Sequence, residues 1–269
     1  MAISLFISLN KVAFEPTFNF NHAYELLQKW LDFFPYLAIG YVLLVFGGQK
    51  IMKKRDPLDL KYLVATWNLS FSIYSLISAY FLLPNILEIY KNEGILSLYC
   101  KKGDYYTNQT TGYWIYLFVI SKTYELGDTL FLVLRKKPVI FMHWYHHILT
   151  NFITVFSYVR LTGWPRLSVF LNVSVHGIMY FYFAVTTLGI RSPTIVRKFI
   201  TTIQLIQFAI AILFFTHLTK IIFSGNKEGC DISKDSHFIG LLMFLSYFYL
   251  FGKFFYKSYI KPKKTIKIN

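Results

Sequence analysis

Three histidines with the spacing H-x-x-H-H lie within one apolar stretch of the sequence. They are His143, His146 and His147. Positions i, i+3 and i+4 share one face of an α-helix, so a helix would bring the three imidazoles together. Clustered imidazoles suit two kinds of chemistry, because they either bind a metal ion or act as base and nucleophile near neutral pH. The spacing alone leaves both interpretations open.

Other polar residues at helical spacing occur in the neighbouring apolar stretches. His176 follows Asn172 by four positions, and Lys122, Glu125 and Asp128 follow one another at intervals of three. Each set would lie on one face of its helix. A further polar pair with the same i, i+3 spacing is formed by Gln204 and Gln207.

The composition indicates that membrane-spanning helices carry these residues. Of the 269 residues, 55% are hydrophobic and 15% are charged, and the mean hydropathy is +0.44. A soluble domain has about 25% charged residues, so a soluble domain and a disordered chain are both excluded. Because one span needs about 20 apolar residues, we predict an all-α, polytopic membrane protein with seven transmembrane helices. The predicted spans are 30–48, 62–83, 113–134, 139–159, 167–190, 199–223 and 238–256.

The distribution of positive charge predicts the orientation. The larger share of the 28 lysines and arginines follows the first, third, fifth and seventh predicted spans. The positive-inside rule places those segments in the cytosol, so the C-terminus is predicted to be cytosolic and the N-terminus to lie on the opposite side. The formal net charge of +15 is therefore interpreted as a topological signal, and no nucleic-acid partner is predicted.

The polar sets all fall in the cytosolic halves of four consecutive predicted spans. An ionisable group within a membrane costs several kcal/mol unless it is paired or faces a wet cavity. We therefore predict one shared polar chamber in the cytosolic half of the bundle. The chain has seven histidines, and His22, His217 and His237 fall at or near the outer side. The four that remain on the cytosolic half could hold one zinc ion but are too few for a di-iron site of the desaturase kind.

These motifs, taken in order, resemble those of the ELO family of very-long-chain fatty acid elongases. That family carries KxxExxDT, HxxHH, HxxMYxYY and TxxQxxQ, and the resemblance covers residues 30–257. The third motif departs from the family at Phe183, where a tyrosine is usual. The matching residues are Lys122, Glu125, Asp128, Thr129, His143, His146, His147, His176, Met179, Tyr180, Tyr182, Thr201, Gln204 and Gln207.

The resemblance implies an acyltransferase, a 3-oxoacyl-CoA synthase. Such an enzyme condenses a long-chain acyl-CoA with malonyl-CoA, releases CO2 and CoA, and uses no metal or other cofactor. The seven helices would then enclose an acyl tunnel. A seven-helix lipid receptor or transporter without catalysis is the alternative that the predicted topology also fits.

Roles for individual residues follow from the family resemblance. His146 is predicted to accept the acyl group, although spacing does not choose among His143, His146 and His147. His176 is predicted to bind or activate the malonyl group, with Asn172 and Tyr182 as hydrogen-bond donors to the developing oxyanion. Asp128 would fix a histidine tautomer. The chamber residues assigned to substrate binding are Lys122, Glu125, Tyr180, Gln204 and Gln207.

Basic residues between the spans are predicted to form a mouth for the CoA phosphates. A cationic entrance would collect acyl-CoA and malonyl-CoA from the cytosol, whereas a purely topological or lipid-binding role is the simpler alternative. These residues are Arg135, Lys136, Lys137, Arg191, Arg197 and Lys198.

The two cysteines, Cys100 and Cys230, follow the second and sixth predicted spans and so lie on the non-cytosolic side. Their position rules out a thiol nucleophile in the chamber. If that side is the oxidising lumen of the endoplasmic reticulum, a disulfide is expected. Asn108 begins an N-x-T sequon on the same side and is a candidate glycosylation site.

The family resemblance also predicts location, partners and organisation. We expect an endoplasmic reticulum membrane protein that contacts membrane lipid and works beside the reductase and dehydratase of the elongation cycle, as a homodimer. The predicted regions are a lumenal segment at 1–29, the seven-helix elongase domain at 30–257 and a basic cytosolic tail at 258–269.

Overall fold

The computed structural model describes residues 2–225 and 229–261, and all regular structure within them is helical. The predicted all-α class is confirmed. Most of the predicted tail, residues 262–269, lies outside the described residues. The helices are α1 (Ala2–Val12), α2 (Phe20–Met52), α3 (Lys61–Glu93), α4 (Ser97–Cys100), α5 (Gln109–Tyr124), α6 (Leu126–Leu134), α7 (Phe141–Val159), α8 (Pro165–Thr187), α9 (Thr194–Ser224), α10 (Lys234–Phe255) and a π-helical segment (Tyr256–Ile260).

Within the described residues, five helices are long and apolar enough to cross a bilayer. They are α2, α3, α8, α9 and α10 together with the π-helical segment. This finding confirms a multi-pass membrane protein. The predicted fourth span corresponds to α7, which has 19 residues, and the predicted third span corresponds to α5 and α6. The count of seven spans stays a prediction.

The predicted third span is not one continuous helix. α5 ends at Tyr124 and α6 begins at Leu126, with Glu125 between them. The N–H of Asp128 donates to the carbonyl of Glu125 at 3.1 Å, an i to i+3 bond that tightens the turn. Gly127 adds to this break because glycine is a poor helix former.

The first helix packs against the bundle through tyrosines of α5. The hydroxyls of Tyr113 and Tyr116 donate to the carbonyls of Ala13 and Leu9, at 3.2 and 2.6 Å. Leu9 belongs to a buried cluster with residues of α2, α5, α7 and α8. The predicted boundary between residues 29 and 30 thus falls inside α2, and the segment before it is part of the core.

The longest helix contact joins α3 to α8. Ser72 Oγ donates to the carbonyl of Gly177 at 2.8 Å, and a Cβ on Gly177 would come within 2.6 Å of the Leu76 side chain. The absence of a side chain at Gly177 therefore allows the two helices to approach closely. A second buried cluster forms between α7, α9 and α10 and includes Trp164 and Phe215.

A disulfide joins Cys100, at the end of α4, to Cys230, in the segment before α10. Their Cα atoms are 4.7 Å apart, and 130 residues separate them in sequence. Asn108, in the loop between α4 and α5, caps α5, since its Oδ1 accepts from the N–H groups of Thr110 and Thr111.

Candidate active site

The three imidazoles of α7 lie together in its first two turns. The rings of His143 and His147 are 4.4 Å apart, and those of His146 and His147 are 5.6 Å apart. His147 is buried, and Nε2 of His143 and Nδ1 of His146 are buried without a hydrogen-bond partner among the described residues. The H-x-x-H-H spacing therefore does produce one cluster, as predicted.

Asp128 connects this cluster to α3 and α8. Its Oδ1 accepts from the indole N–H of Trp67 at 2.7 Å, and its Oδ2 accepts from the hydroxyl of Tyr180 at 2.8 Å. Nε2 of His147 lies 3.9 Å from the same Oδ2. Two donors thus fix the carboxylate beside the imidazole, so the carboxylate can orient that ring.

Lys122 and Glu125 form a buried ion pair that reaches α8. Lys122 Nζ is 2.7 Å from Glu125 Oε1, and both side chains are at most 4% exposed. Lys122 also donates to Asn172 Oδ1 at 3.1 Å, and Asn172 Nδ2 is 3.2 Å from His176 Nε2. Glu125 Oε2 lies 3.9 Å from His176 Nδ1. Lys122, Glu125, Asn172 and His176 thus form a closed cycle of contacts, in which each side chain contacts two of the others.

Tyr247 of α10 fixes the helix segment that carries His146. Its hydroxyl donates to the carbonyl of His146 at 3.0 Å and bonds the hydroxyl of Thr150 at 2.8 Å. The rings of Tyr247 and His146 are 4.6 Å apart. Tyr247 therefore restrains both the backbone and the ring of His146.

Not all of the other predicted site residues of α8 and α9 belong to the polar cluster. Gln204 donates to the sulfur of Met179 at 3.1 Å, and Gln207 is buried. Tyr182 is only partly buried, and its hydroxyl has no hydrogen-bond partner in the part of the chain that the structure describes. The contacts thus bring Tyr180 into the polar cluster but do not bring Tyr182 there.

An apolar cavity extends from the polar cluster into the bundle. The space between its lining atoms, including the part that is open to solvent, amounts to about 580 Å³. His146, Asn172 and Gln207 line one end, and Tyr106, Trp164 and Pro165 line the other. Its walls between the two ends include Ile115, Phe118, Val119, Ile153, Val169, Phe208, Met243 and Phe244. A long alkyl chain would suit these walls because their side chains are apolar.

The predicted basic mouth lies at the helix ends nearest to the histidines. Lys136 and Lys137 follow α6, and Arg197 and Lys198 lie in the first turns of α9. All four are exposed, while Arg135 is half-buried. Arg197 donates to the hydroxyl of Thr194 at 3.1 Å. These side chains are accessible to an anion arriving from water.

Within residues 2–225 and 229–261, no group of three or more His, Cys, Asp or Glu side chains is arranged to hold a metal ion. The interpretation that no metal or cofactor is needed remains a prediction.

Sequence spacing did not indicate Trp67, Tyr247 or Thr150 as parts of the site. Each belongs to no motif and reaches the cluster from a different helix or a later turn. The available signal was general: a buried tryptophan or tyrosine usually requires a hydrogen-bond partner for its polar atom. Trp67 lies within a predicted span, and its indole N–H finds such a partner in Asp128.

Fold and site together define a multi-pass membrane protein in which a cluster of imidazoles and carboxylates adjoins an apolar cavity. The sequence profile of the ELO family, described as the GNS1/SUR4 family, matches residues 26–267. The chain belongs to this family, which confirms the resemblance seen in the motifs.

Similar proteins carry elongase names. The chain is 49% identical to long chain fatty acid elongase 2 of Caenorhabditis elegans over 234 residues, covering 86% of this chain and 85% of that protein. It is 34% identical to very long chain fatty acid elongase 6 of Drosophila melanogaster, covering 88% and 75%, and 33% identical to the protein of the same name from Gallus gallus, covering 98% of each. These relatives give no support to the receptor or transporter alternative.

Proposed function

We propose that this protein is a fatty acid elongase that acts as a 3-oxoacyl-CoA synthase. It condenses a long-chain acyl-CoA with malonyl-CoA and releases CO2 and CoA. Family membership and the names of the relatives support elongation. The observation that carries the proposal is the position of His146: it lines one end of an apolar cavity, and its buried Nδ1 has no hydrogen-bond partner among residues 2–225 and 229–261.

In the first step, the imidazole of His146 attacks the thioester carbonyl of the acyl-CoA. A carbon–nitrogen bond forms, the carbon–sulfur bond breaks, and the thiolate of CoA leaves with the imidazole proton. The product is an acyl-imidazole whose alkyl chain occupies the cavity. Neutral imidazole is a competent nucleophile, and the contacts of Tyr247 would hold its ring in place for the attack.

In the second step, malonyl-CoA loses CO2 and the resulting enolate attacks the acyl carbon. The new carbon–carbon bond forms as the carbon–nitrogen bond to His146 breaks, which gives 3-oxoacyl-CoA, and the released imidazole takes up one proton from water. His176 would hold the malonyl group. Its imidazole is buried and contacts Glu125 and Asn172, and Lys122 contacts both of those residues. The amide of Asn172 would donate to the developing enolate oxygen. Tyr182 lies outside the polar cluster, so its predicted role as a second donor is not part of this step.

Asp128 and the remaining chamber residues organise the site in this proposal. Asp128 orients His147, with Trp67 and Tyr180 as its two donors. Gln207 lines the cavity beside His146, and Gln204 contacts Met179 next to Tyr180. The residues proposed to receive the CoA phosphates are Arg135, Lys136, Lys137, Arg197 and Lys198.

The topology belongs to the same proposal. Seven helices, with α5 and α6 as one interrupted span, would place the histidine end of α7 at the cytosol and the disulfide in the endoplasmic reticulum lumen, with Asn108 exposed there for glycosylation. Membrane lipid, a second copy of the chain, and the reductase and dehydratase of the cycle are the proposed partners. Labelling of Cys100 or Cys230 by a thiol reagent without prior reduction would contradict this orientation.

Purified protein incubated with radiolabelled malonyl-CoA and a series of acyl-CoA substrates tests the function. We expect a labelled 3-oxoacyl-CoA that depends on both substrates. No product with any acyl chain would overturn the proposal. Intact-mass spectrometry with acyl-CoA alone should detect an acyl adduct, and H146A should abolish it.

We expect H146A to lower turnover by about 1,000-fold or more, as loss of a covalent nucleophile does in other enzymes. H22A is the matched control, because His22 lies in the first turn of α2, where its Nδ1 is 2.8 Å from Glu15 Oε1, and does not line the cavity. A normal adduct in H146A would show that another residue accepts the acyl group.

A further inference from the structure

The cavity has a second end, opposite His146, and Trp164 lies there. Trp164 precedes α8 and is 6% exposed. Along α7 the cavity lining runs from His146 to Tyr158, twelve residues later, which is about 18 Å at the helical rise of 1.5 Å per residue. Trp164 is linked to Ser157 through Ser236, so its indole lies at the far limit of this lining.

We infer that Trp164 is the residue that limits the length of the acyl chain, and that the disulfide-linked loops hold it in place. This assignment rests on the proposed function, because it concerns the far end of the same cavity. It names a specificity-determining residue that no motif in the sequence indicates.

Contacts from α9 and α10 fix the indole of Trp164. Its Nε1 donates to Ser236 Oγ at 3.2 Å, and Ser236 Oγ is 3.0 Å from Ser157 Oγ. Ser236 has no exposed surface. The indole ring also packs against Phe215 and Phe244, with ring centroids 5.2 and 6.4 Å away. A hydrogen bond and two ring contacts leave the indole little freedom to move away from an advancing alkyl chain.

The backbone before Trp164 is tied to the disulfide-linked loops. The N–H of Gly163 donates to the carbonyl of Asp231 at 2.9 Å, and the N–H of Asp231 donates to the carbonyl of Cys100 at 2.8 Å. A Cβ on Gly163 would overlap the backbone carbonyl of Cys100, so only glycine allows this approach. Through Gly163, these bonds connect Trp164 to the loops on both sides of the disulfide.

The neighbouring residues are held in the same way. The hydroxyl of Tyr106 donates to the carbonyl of Thr162 at 2.8 Å, and burial raises the pKa of Tyr106 well above its usual range, so this donor stays protonated. The guanidinium of Arg166, 1% exposed, donates to the carbonyls of Ser97, Lys101 and Lys102 at 3.2, 2.8 and 2.6 Å. Residues on both sides of Trp164 are therefore hydrogen-bonded to the segment 97–106.

A fixed wall makes chain length a matter of steric exclusion. One methylene more or less in a hydrophobic pocket changes specificity by about 10- to 200-fold. Each condensation adds a two-carbon unit, so an acyl chain that already touches the indole could not be accommodated after one further round. The acyl chain that just reaches Trp164 is then the longest substrate, and the longest product made in quantity is one two-carbon unit longer.

Comparing W164L with the wild type over a series of acyl-CoA lengths tests this. The measurement is the rate with the chain one two-carbon unit above the wild-type limit, divided by the rate with the best wild-type substrate. We expect W164L to raise this ratio by about tenfold or more. W114L is the matched control, because Trp114 stacks on Phe81 at 5.1 Å and does not line the cavity; its ratio should stay at the wild-type value.

A second variant keeps the test independent of the stability of W164L. Thr154 lines the cavity one turn before Ser157, so T154F should shorten the longest product by a two-carbon unit. Wild-type activity with an unchanged limit in T154F and in folded W164L would overturn the inference and leave the proposed function intact. A wild-type protein without any condensation activity would overturn both.

Discussion

The two ends of the cavity are stabilised in different ways. At the histidine end, side chains hold one another: Trp67 and Tyr180 hold Asp128, and Lys122 pairs with Glu125. At the far end, backbone groups and a disulfide hold the chain. Within the described part of the chain, ring nitrogens without a hydrogen-bond partner remain at the first end, on His143, His146 and His176. The difference indicates that one end provides reactive groups and the other provides a fixed shape.

This comparison predicts different responses to substitution. Changes at the histidine end should reduce turnover even where stability is restored, whereas changes at the far end should affect stability or product length with turnover largely retained.

The largest effect on stability is expected for K122M. It leaves the carboxylate of Glu125 buried without its cation, and breaking a buried pair in this way costs about 3–5 kcal/mol. The free energy of unfolding in detergent measures the loss. The double variant K122M/E125L should recover most of the stability because no buried charge is left unpaired. It should remain inactive, since Asn172 loses its contact with Lys122; recovery of activity would contradict the proposed role of the pair.

Replacing both cysteines by serine should have the next largest effect. Loss of a native disulfide typically costs about 2–4 kcal/mol, and thermal unfolding of C100S/C230S, compared with the oxidised wild-type protein, measures it; the reduced wild type should unfold like the variant. We expect turnover with short acyl chains to persist because neither cysteine lines the cavity near His146. An unfolding temperature equal to that of the oxidised wild type would show that the disulfide contributes little to the far end.

W67F should have a smaller effect, and mainly on turnover. It removes one of the two donors to Asp128, and a hydrogen bond to a charged group is worth about 1.5–3 kcal/mol. We expect kcat to fall roughly tenfold or more while the KM values for both substrates stay near wild type, because Trp67 positions the carboxylate without touching the cavity. W114F, the same change outside the cluster, should keep the wild-type kcat. Equal losses in the two variants would indicate a purely structural role.

The smallest effect is expected for R197E/K198E at the mouth. Exposed charges contribute only about 0.2–1 kcal/mol each, so the KM for malonyl-CoA should rise about threefold, with the difference shrinking as salt is added. K91E, at the opposite end of the bundle on α3, is the control and should leave KM unchanged. A KM that is unaffected by R197E/K198E would favour the simpler view that these residues only set topology.

Local spacing predicted those parts of the site that lie on one helix. The H-x-x-H-H cluster and the Lys122–Glu125 pair both follow from helical periodicity. The interruption at Glu125 did not follow, because the tightened turn depends on local backbone bonds. Trp67 and Tyr247 were missed because they reach the site across helix interfaces, which a period of 3.6 residues does not describe.

The contacts at the far end of the cavity could not be predicted from the sequence, for a related reason. Its two cysteines suggested a link between loops, but nothing in their spacing indicated that Gly163 and Arg166 would fasten the residue between them to those loops. Such contacts join segments far apart in the chain, so they emerge only when the helices are packed.

The separation of the two cysteines also has a consequence for biosynthesis. Cys100 and Cys230 lie 130 residues apart, and a ribosome adds about 5–20 residues per second. Cys100 therefore waits on the order of 10 s before its partner exists, while α5 to α9 are made and inserted. The imidazoles of α7 are therefore synthesised before the disulfide at the opposite end of the cavity can form. Inhibiting oxidation during synthesis should yield a protein in which the histidine end is assembled while the loops around Trp164 are not yet joined.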